Sequence, residues 1–206
     1  GGDSSATDGS SSGSSTGTTG GGPDCECTEG PRCHDCLLDR LIFVSSSSHQ
    51  GDFGPLAVAD EICQGLLPAR YAAEKRTMRA WLSGANYDAG TRFTRGKGRY
   101  LLPDGQTVVV TSGDDLVGGT LVNSISMDEQ GATREVPVWT NTNADGLKIS
   151  PDAHCEGWST NSIFEKAWYG WSTATDFQWT RREVLSNPEV CAFYAHLYCV
   201  EQAGQP

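Results

Sequence analysis

Eight cysteines in 206 residues constrain this chain more than any other feature. An even number of thiols in a sequence rich in turn residues reads as a cross-linked framework. They fall into two groups. Cys25, Cys27, Cys33 and Cys36 crowd into CECTEGPRCHDC, while Cys63, Cys155, Cys191 and Cys199 are spread through the rest. The dispersed four lack the close pairs that zinc sites use, so two disulfides are expected, and with them an oxidising compartment. Three pairings are open. We favour the nested one, Cys63 with Cys199 and Cys155 with Cys191, which would tie the first helix of the folded part to its last strand. The clustered four enclose His34 and could hold a metal, but an exported chain favours a small disulfide knot. Cys25 and Cys27 are too close in sequence to pair comfortably, so each is expected to cross to Cys33 or Cys36.

Composition divides the chain. Residues 1–24 are almost wholly Gly, Ser and Thr, with no apolar side chains to offset the entropy of ordering, and read as a flexible tether. Residues 25–39 form a small Cys-rich segment, and residues 40–203 are long enough to bury one core. The formal net charge of −11 excludes a nucleic-acid partner, which needs a basic face, and simple docking on anionic lipid. No apolar run approaches the roughly 18 residues that span a bilayer. The chain opens on Gly without a signal peptide, so we expect a mature exported form, extracellular or at the cell surface. A Gly/Ser/Thr tether at that position suits a bacterial surface lipoprotein whose N-terminal lipid anchor lies outside this chain, or a secreted protein.

Within residues 40–203, Leu41, Ile42, Phe43 and Val44 read as a strand. GDFGP supplies turn chemistry, and Pro55 suits the start of a helix in which Leu56, Ala59, Cys63 and Leu66 or Leu67 share a face. Gly65 and Pro68 limit that helix. ARYAAEKRTMRAWLSG reads as a second short helix passing into a strand around Met78 to Ser83. In GRYLLPDGQTVVVTSG two β-rich runs flank the hairpin pair Asp104-Gly105. VPVWT and FQWTRREV read as further strands. AFYAHLYCVEQ reads as a closing strand with Phe193, Ala195, Leu197 and Cys199 on one side and His196 on the outward side. Two short helices, mixed short strands and long loops make the class α+β.

LIFVSSSSHQGDFGPLAVADEICQ, RAWLS, RYLLPDG, VWTNTNADG, CEGW and LYCVEQ occur in the order and spacing of a bacterial exported family known mostly as a domain of unknown function. Over Arg40 to Gln202 the chain resembles that family, and through it the C-type lectin-like fold in its endostatin-like variant. The resemblance implies neighbouring first and last strands and a nested cystine pairing. It does not carry calcium-dependent sugar binding, because the E-P-N or Q-P-D and W-N-D triplets of lectins that bind sugar through calcium are missing.

Two stretches could bind something. NTNADGLKISPD places oxygen-bearing side chains at Asn141, Asn143, Asp145 and Asp152 with Gly146 sixth, a degenerate calcium loop; an ordinary Asn/Asp/Gly surface turn is the expected reading. AWYGWSTATDFQW is dense in aromatics. Most of the six tryptophans, Trp81, Trp139, Trp158, Trp168, Trp171 and Trp179, are expected in the core; Trp168, Tyr169 and Trp171 are candidates for a partly exposed face that stacks on sugar or a protein partner. Asp114, Asp115, Asp128 and Glu129 are expected to be solvated loop acids rather than catalytic carboxylates. His49 is expected exposed, and no catalytic residue is nominated. GSSSG at Gly9 to Gly13 matches a nucleophile elbow only by composition.

The resulting expectation is a non-enzymatic recognition or structural module on a stalk. Its long loops between Asp114 and Thr175 would bind a glycan, a matrix component or a surface protein, with no certain cofactor. The alternatives are a calcium-dependent carbohydrate binder, a zinc-stabilised module at Cys25 to Cys36, and an uncharacterised enzyme.

Overall fold

The computed structural model describes Gly1, residues 38–185 and residues 187–203. The Cys25–Cys36 cluster and the tether beyond Gly1 lie outside the described residues.

One five-stranded sheet organises an α+β domain. At its centre β1 (Arg40–Val44) and β9 (Tyr198–Glu201) run antiparallel, with Phe43 opposite Cys199. β2 (Met78–Ala80) flanks β9; β3 (Tyr100–Leu101) lies parallel to β1, and β4 (Val108–Val110) closes the far edge. Every residue of β1 is buried. Leu41 and Phe43 enter one apolar cluster, Ile42 and Val44 the other. A strand covered on both faces needs consecutive rather than alternating apolar residues, and Leu-Ile-Phe-Val supplies them. In β9, Cys199 joins the first cluster while Tyr198 and Val200 join the second.

Helix α1 (Leu56–Gly65) covers the first face. Pro55 is its N-cap residue, and Ala59 and Cys63, one turn apart, are its buried positions. Asp60 stitches the helix to its surroundings by accepting Ala80 N at 3.0 Å and Arg92 Nη2 at 2.7 Å. The second expected helix is a 3-10 segment, Ala69–Glu74, which Pro68 precedes. Two further one-turn helices follow, α2 (Ala89–Arg92) and α3 (Cys155–Trp158).

Both expected disulfides are present, and all four sulfurs' residues are buried. Cys63–Cys199 spans 136 residues and Cys155–Cys191 spans 36. By loop-closure entropy these restrict the unfolded chain by about 5 and about 4 kcal/mol. The hairpin is also present: β3 and β4 pair around Asp104, whose carboxylate accepts Gln106 N and Thr107 N, and Gly105, at φ 72°.

Several expectations are corrected. FQWTRREV is not a strand. Phe177–Trp179 forms a 3-10 turn, because the Asp176 side chain accepts Gln178 N and Trp179 is drawn between Trp81 and Tyr198. The closing strand covers only Tyr198–Glu201; upstream, Ala195 and His196 make isolated bridges to His49 and Val138. The aromatic run holds two strands that periodicity does not reveal: β6 (Lys166–Ala167), paired with β8 (Glu189–Val190), and β7 (Tyr169–Trp171), paired with β5 (Pro137–Trp139). His49 is half-buried, bonded to Ser47 and in edge contact with Phe53, and His196 is half-buried with Nδ1 donating to Ser45 O. α3 is a left-handed turn: Cys155, Glu156, Gly157 and Trp158 have φ of 51, 52, 74 and 67°. Such a run costs about 1–2 kcal/mol per non-glycine residue. It is held by the Cys155 disulfide, by buried Trp158 and by His154 Nδ1, which accepts Gly157 N.

Candidate functional site

Trp81, Trp139, Trp158 and Trp179 are fully buried, so four of the six tryptophans belong to the core. Trp168 and Trp171 are half-buried, at and just before the ends of β7, while Tyr169 between them is buried. Of the three candidates for a partly exposed binding face, Tyr169 is therefore removed and belongs to the core. Strand alternation explains it: Tyr169 points into the first cluster, and Trp168 points to the opposite side.

The structure brings the two sequence candidates together. The carbonyl of Trp168 accepts Thr140 N and Asn141 N at 3.2 and 3.1 Å, which fastens the Asn/Asp turn to β7. Arg181 bridges them through its side chain. Its Nη1 donates to Asn143 Oδ1 at 3.2 Å, and its guanidinium lies 5.7 Å from the centre of the Trp168 ring. A third contact, Nη2 to Glu183 Oε1 at 3.3 Å, is an exposed ion pair of the weak surface kind. Behind Arg181 the chain is anchored in the core. Thr180 is buried, donates through Oγ1 to Thr142 O and accepts Trp81 Nε1, both at 3.0 Å.

Ahead of Arg181 the chain makes a projecting loop. Asn187 holds its far end to β7: Nδ2 donates to Tyr169 O and Arg182 O at 2.9 and 2.6 Å. Between these anchors Glu183, Val184 and Leu185 are exposed. Trp168, Arg181, Glu183, Val184, Leu185 and Asn187 line a cleft of about 370 Å³. It combines an indole wall, an aliphatic wall, a cation and a carboxylate. That suits an amphipathic ligand with an apolar face and polar edges.

The Asn/Asp turn has partners of its own. Asn141 is buried and exchanges bonds with Ser150, donating to its O at 2.9 Å and accepting its N at 3.2 Å. Asn143 Oδ1 receives Arg181, Asp145 Oδ1 accepts Leu147 N at 3.0 Å, and Asp152 is exposed. A guanidinium thus stands at the oxygen where a calcium loop would present a ligand. Among the described residues no group of three His, Cys, Asp or Glu side chains could hold a metal ion.

The remaining acids are structural. Asp114 pairs with Lys97 and Arg95 at 2.7 and 3.1 Å, and the Lys97 bond, with Arg95, holds its carboxyl below the usual carboxylate range against the opposing effect of burial. Asp115 closes a capping box with Ser112. Asp128 is buried, which alone would raise its pKa; bonds from Ala132 N, Arg134 and Gln130 N outweigh that and lower it. Glu129 accepts both the amide and the hydroxyl of Ser46, beside a second cleft of about 470 Å³ next to Leu66 and Arg70. Sequence reasoning missed Arg181, Glu183 and Asn187. No local pattern marks them, since Arg181 meets Asn143 across 38 positions.

No protein-family model matches the chain, and the search of curated proteins finds no match. No helix among the described residues is long and apolar enough to cross a membrane.

Proposed function

We propose that this chain is a non-enzymatic recognition module of the C-type lectin-like fold, in its endostatin-like variant. The Gly/Ser/Thr tether displays it outside the cell, as a bacterial outer-membrane lipoprotein or a secreted protein. Support for the fold comes from the neighbouring antiparallel first and last strands and from the Cys63–Cys199 clamp between α1 and β9. Two buried disulfides are compatible with an extracellular location. The binding surface is the cleft beside Trp168. One observation carries this reading: Arg181 joins the aromatic run to the Asn143 turn at a concave surface with mixed polar and apolar walls. The ligand class is a glycan, a matrix component or a surface protein.

A glycan and surface-protein binding screen tests the reading, with Trp168→Ala run beside wild type. Hits that weaken at least tenfold in the variant, with an unchanged melting temperature, support it. Hits indifferent to Trp168 move the site elsewhere, and a screen without hits removes the recognition role.

A further inference from the structure

The aromatic run offers two indoles as sugar platforms, and each carries an arginine. Arg181 lies 5.7 Å from the centre of the Trp168 ring, and Arg182 lies 3.6 Å above Trp171. Arg181 at 5.7 Å stands off-centre from Trp168, whereas at 3.6 Å the Arg182 guanidinium covers that face of Trp171 and closes it to a neutral sugar. What the surface presents there is the cation.

The two arginines differ in how far they are already engaged. Arg181 is bonded to Asn143 and Glu183. Among the described residues, the guanidinium of Arg182 has neither a hydrogen bond nor an ion pair; its side chain rests on Trp171. Elsewhere Arg76, Arg79, Arg92, Arg95, Arg99 and Arg134 each contact a carboxylate; Arg70, over Tyr71, is the other described arginine with neither a hydrogen bond nor an ion pair, but it is exposed where Arg182 is half-buried. In a chain of net charge −11, acids are in excess, so an unpaired guanidinium does not follow from composition. Arg182 is also fixed in place. Its N donates to Tyr169 O at 2.9 Å, its O accepts Asn187 Nδ2 at 2.6 Å, and its guanidinium carbon lies 3.6 Å from the centre of the Trp171 ring. A donor fork seated on a ring and unused loses less entropy on meeting an anion than a free side chain does.

We propose that Arg182, seated on Trp171, receives the carboxylate of an acidic sugar, so that the ligands of this surface are glycans containing uronic acid. This inference rests on the recognition reading above and narrows its ligand. A planar fork matches a planar carboxylate through two parallel bonds. An isolated unpaired guanidinium on an acidic protein suits isolated carboxylates better than a densely charged polyanion, which the net negative field repels. Arg182 does not line the cleft itself, but its chain neighbours Arg181 and Glu183 do, so an oligosaccharide longer than one ring would reach from Arg182 to the cleft.

Calorimetric titration of the full chain tests this with oligogalacturonate and oligoalginate, their carboxyl-methyl esters, and a hexa-aspartate peptide. Uronate binding that falls about tenfold or more on esterification and in Arg182→Met is expected, with Arg182→Lys intermediate. Arg70→Met, which removes an arginine stacked on Tyr71 instead, leaves binding unchanged. Thermal melting of each variant checks that it is folded. Absence of uronate binding at millimolar concentration, equal binding of the esters, an unaffected Arg182→Met, or binding of the peptide alone overturns the inference. In those cases a neutral glycan or surface protein found in the wider screen leaves the recognition role standing, and a blank screen removes both.

Discussion

Gly146 shows how closely the candidate site is built. It sits at φ 82°, its O accepts Gly90 N at 2.8 Å, and an added Cβ would lie 2.7 Å from Val117 Cγ1 and 2.8 Å from Gly90 Cα. Gly146→Ala is therefore expected to lower stability by about 2 kcal/mol or more, read as a fall in the urea midpoint. The histidines make a second prediction at this scale. Burial, with the nearby charge of His196, depresses the pKa of His49. Burial depresses that of His196 as well; Arg134 adds to it, while the Ser45 carbonyl, Glu129 and Asp128 oppose it. Both rings are thus favoured neutral in the folded state. Their contribution is complete above the unfolded value of about 6.5 and is lost as pH falls below it toward the lower folded values. The urea midpoint is expected to drop between pH 7.5 and pH 5, and less so in His49→Gln/His196→Gln; equal drops in both proteins would contradict the assignment. The sequence marks the Asn/Asp/Gly turn because each residue has a local reason to turn. It does not mark the half-burial of His49, which depends on Phe53 and on Ala195, far along the chain.

Among the elements, α1 and β9 are joined most firmly. Cys63 and Cys199 connect them, Asp60 pins the same helix to Ala80 in β2, and β2 pairs with β9. The pairing of Cys63 closes the longer loop, so Cys63→Ala/Cys199→Ala is expected to lose more stability than Cys155→Ala/Cys191→Ala, by about 1 kcal/mol. Denaturant unfolding of the two double variants measures the order, and a reversed order would show that native contacts rather than chain restriction dominate. β1, α1 and the β3–β4 hairpin are legible in sequence because each carries its own periodicity or turn pair. β6, β7 and β8 are two or three residues long, below the reach of any period, and exist because partners from distant segments complete them. The segment around Trp179 misleads for the opposite reason: its β-rich composition is overridden by one indole drawn into the core and one Asp176 cap.

For the molecule as a whole, resident cations fasten both the loops and the regular elements. Asp60 is met by Arg92, Asp114 by Arg95 and Lys97, Asp128 by Arg134, Glu201 by Arg40 and Arg76, and Asn143 by Arg181. A guanidinium supplies up to five directed donors without having to be captured from solution. The pattern is spread over residues 40–201 and is invisible to a motif search, because each acid and its arginine are specified separately by the fold. It predicts how the folded domain responds to calcium. A weak site with a dissociation constant of about 0.1–1 mM would stabilise the protein by roughly 1–2 kcal/mol at 5 mM calcium, a rise of several degrees in melting temperature for a domain of this size. With Arg181 at Asn143 and Leu147 N at Asp145, the expected outcome is a melting temperature equal in 5 mM calcium and in EDTA to within about a degree, and unchanged tryptophan fluorescence. Arg181→Gln separates the two ways of reading the turn. If the guanidinium stands in for an ion, the variant melts lower and calcium restores part of the loss; if the turn is closed by its backbone and Ser150 bonds alone, the variant melts near wild type and ignores calcium. A wild-type shift of several degrees would place a real ion among Asn141, Asn143 and Asp145 and would displace Arg181 from the binding surface.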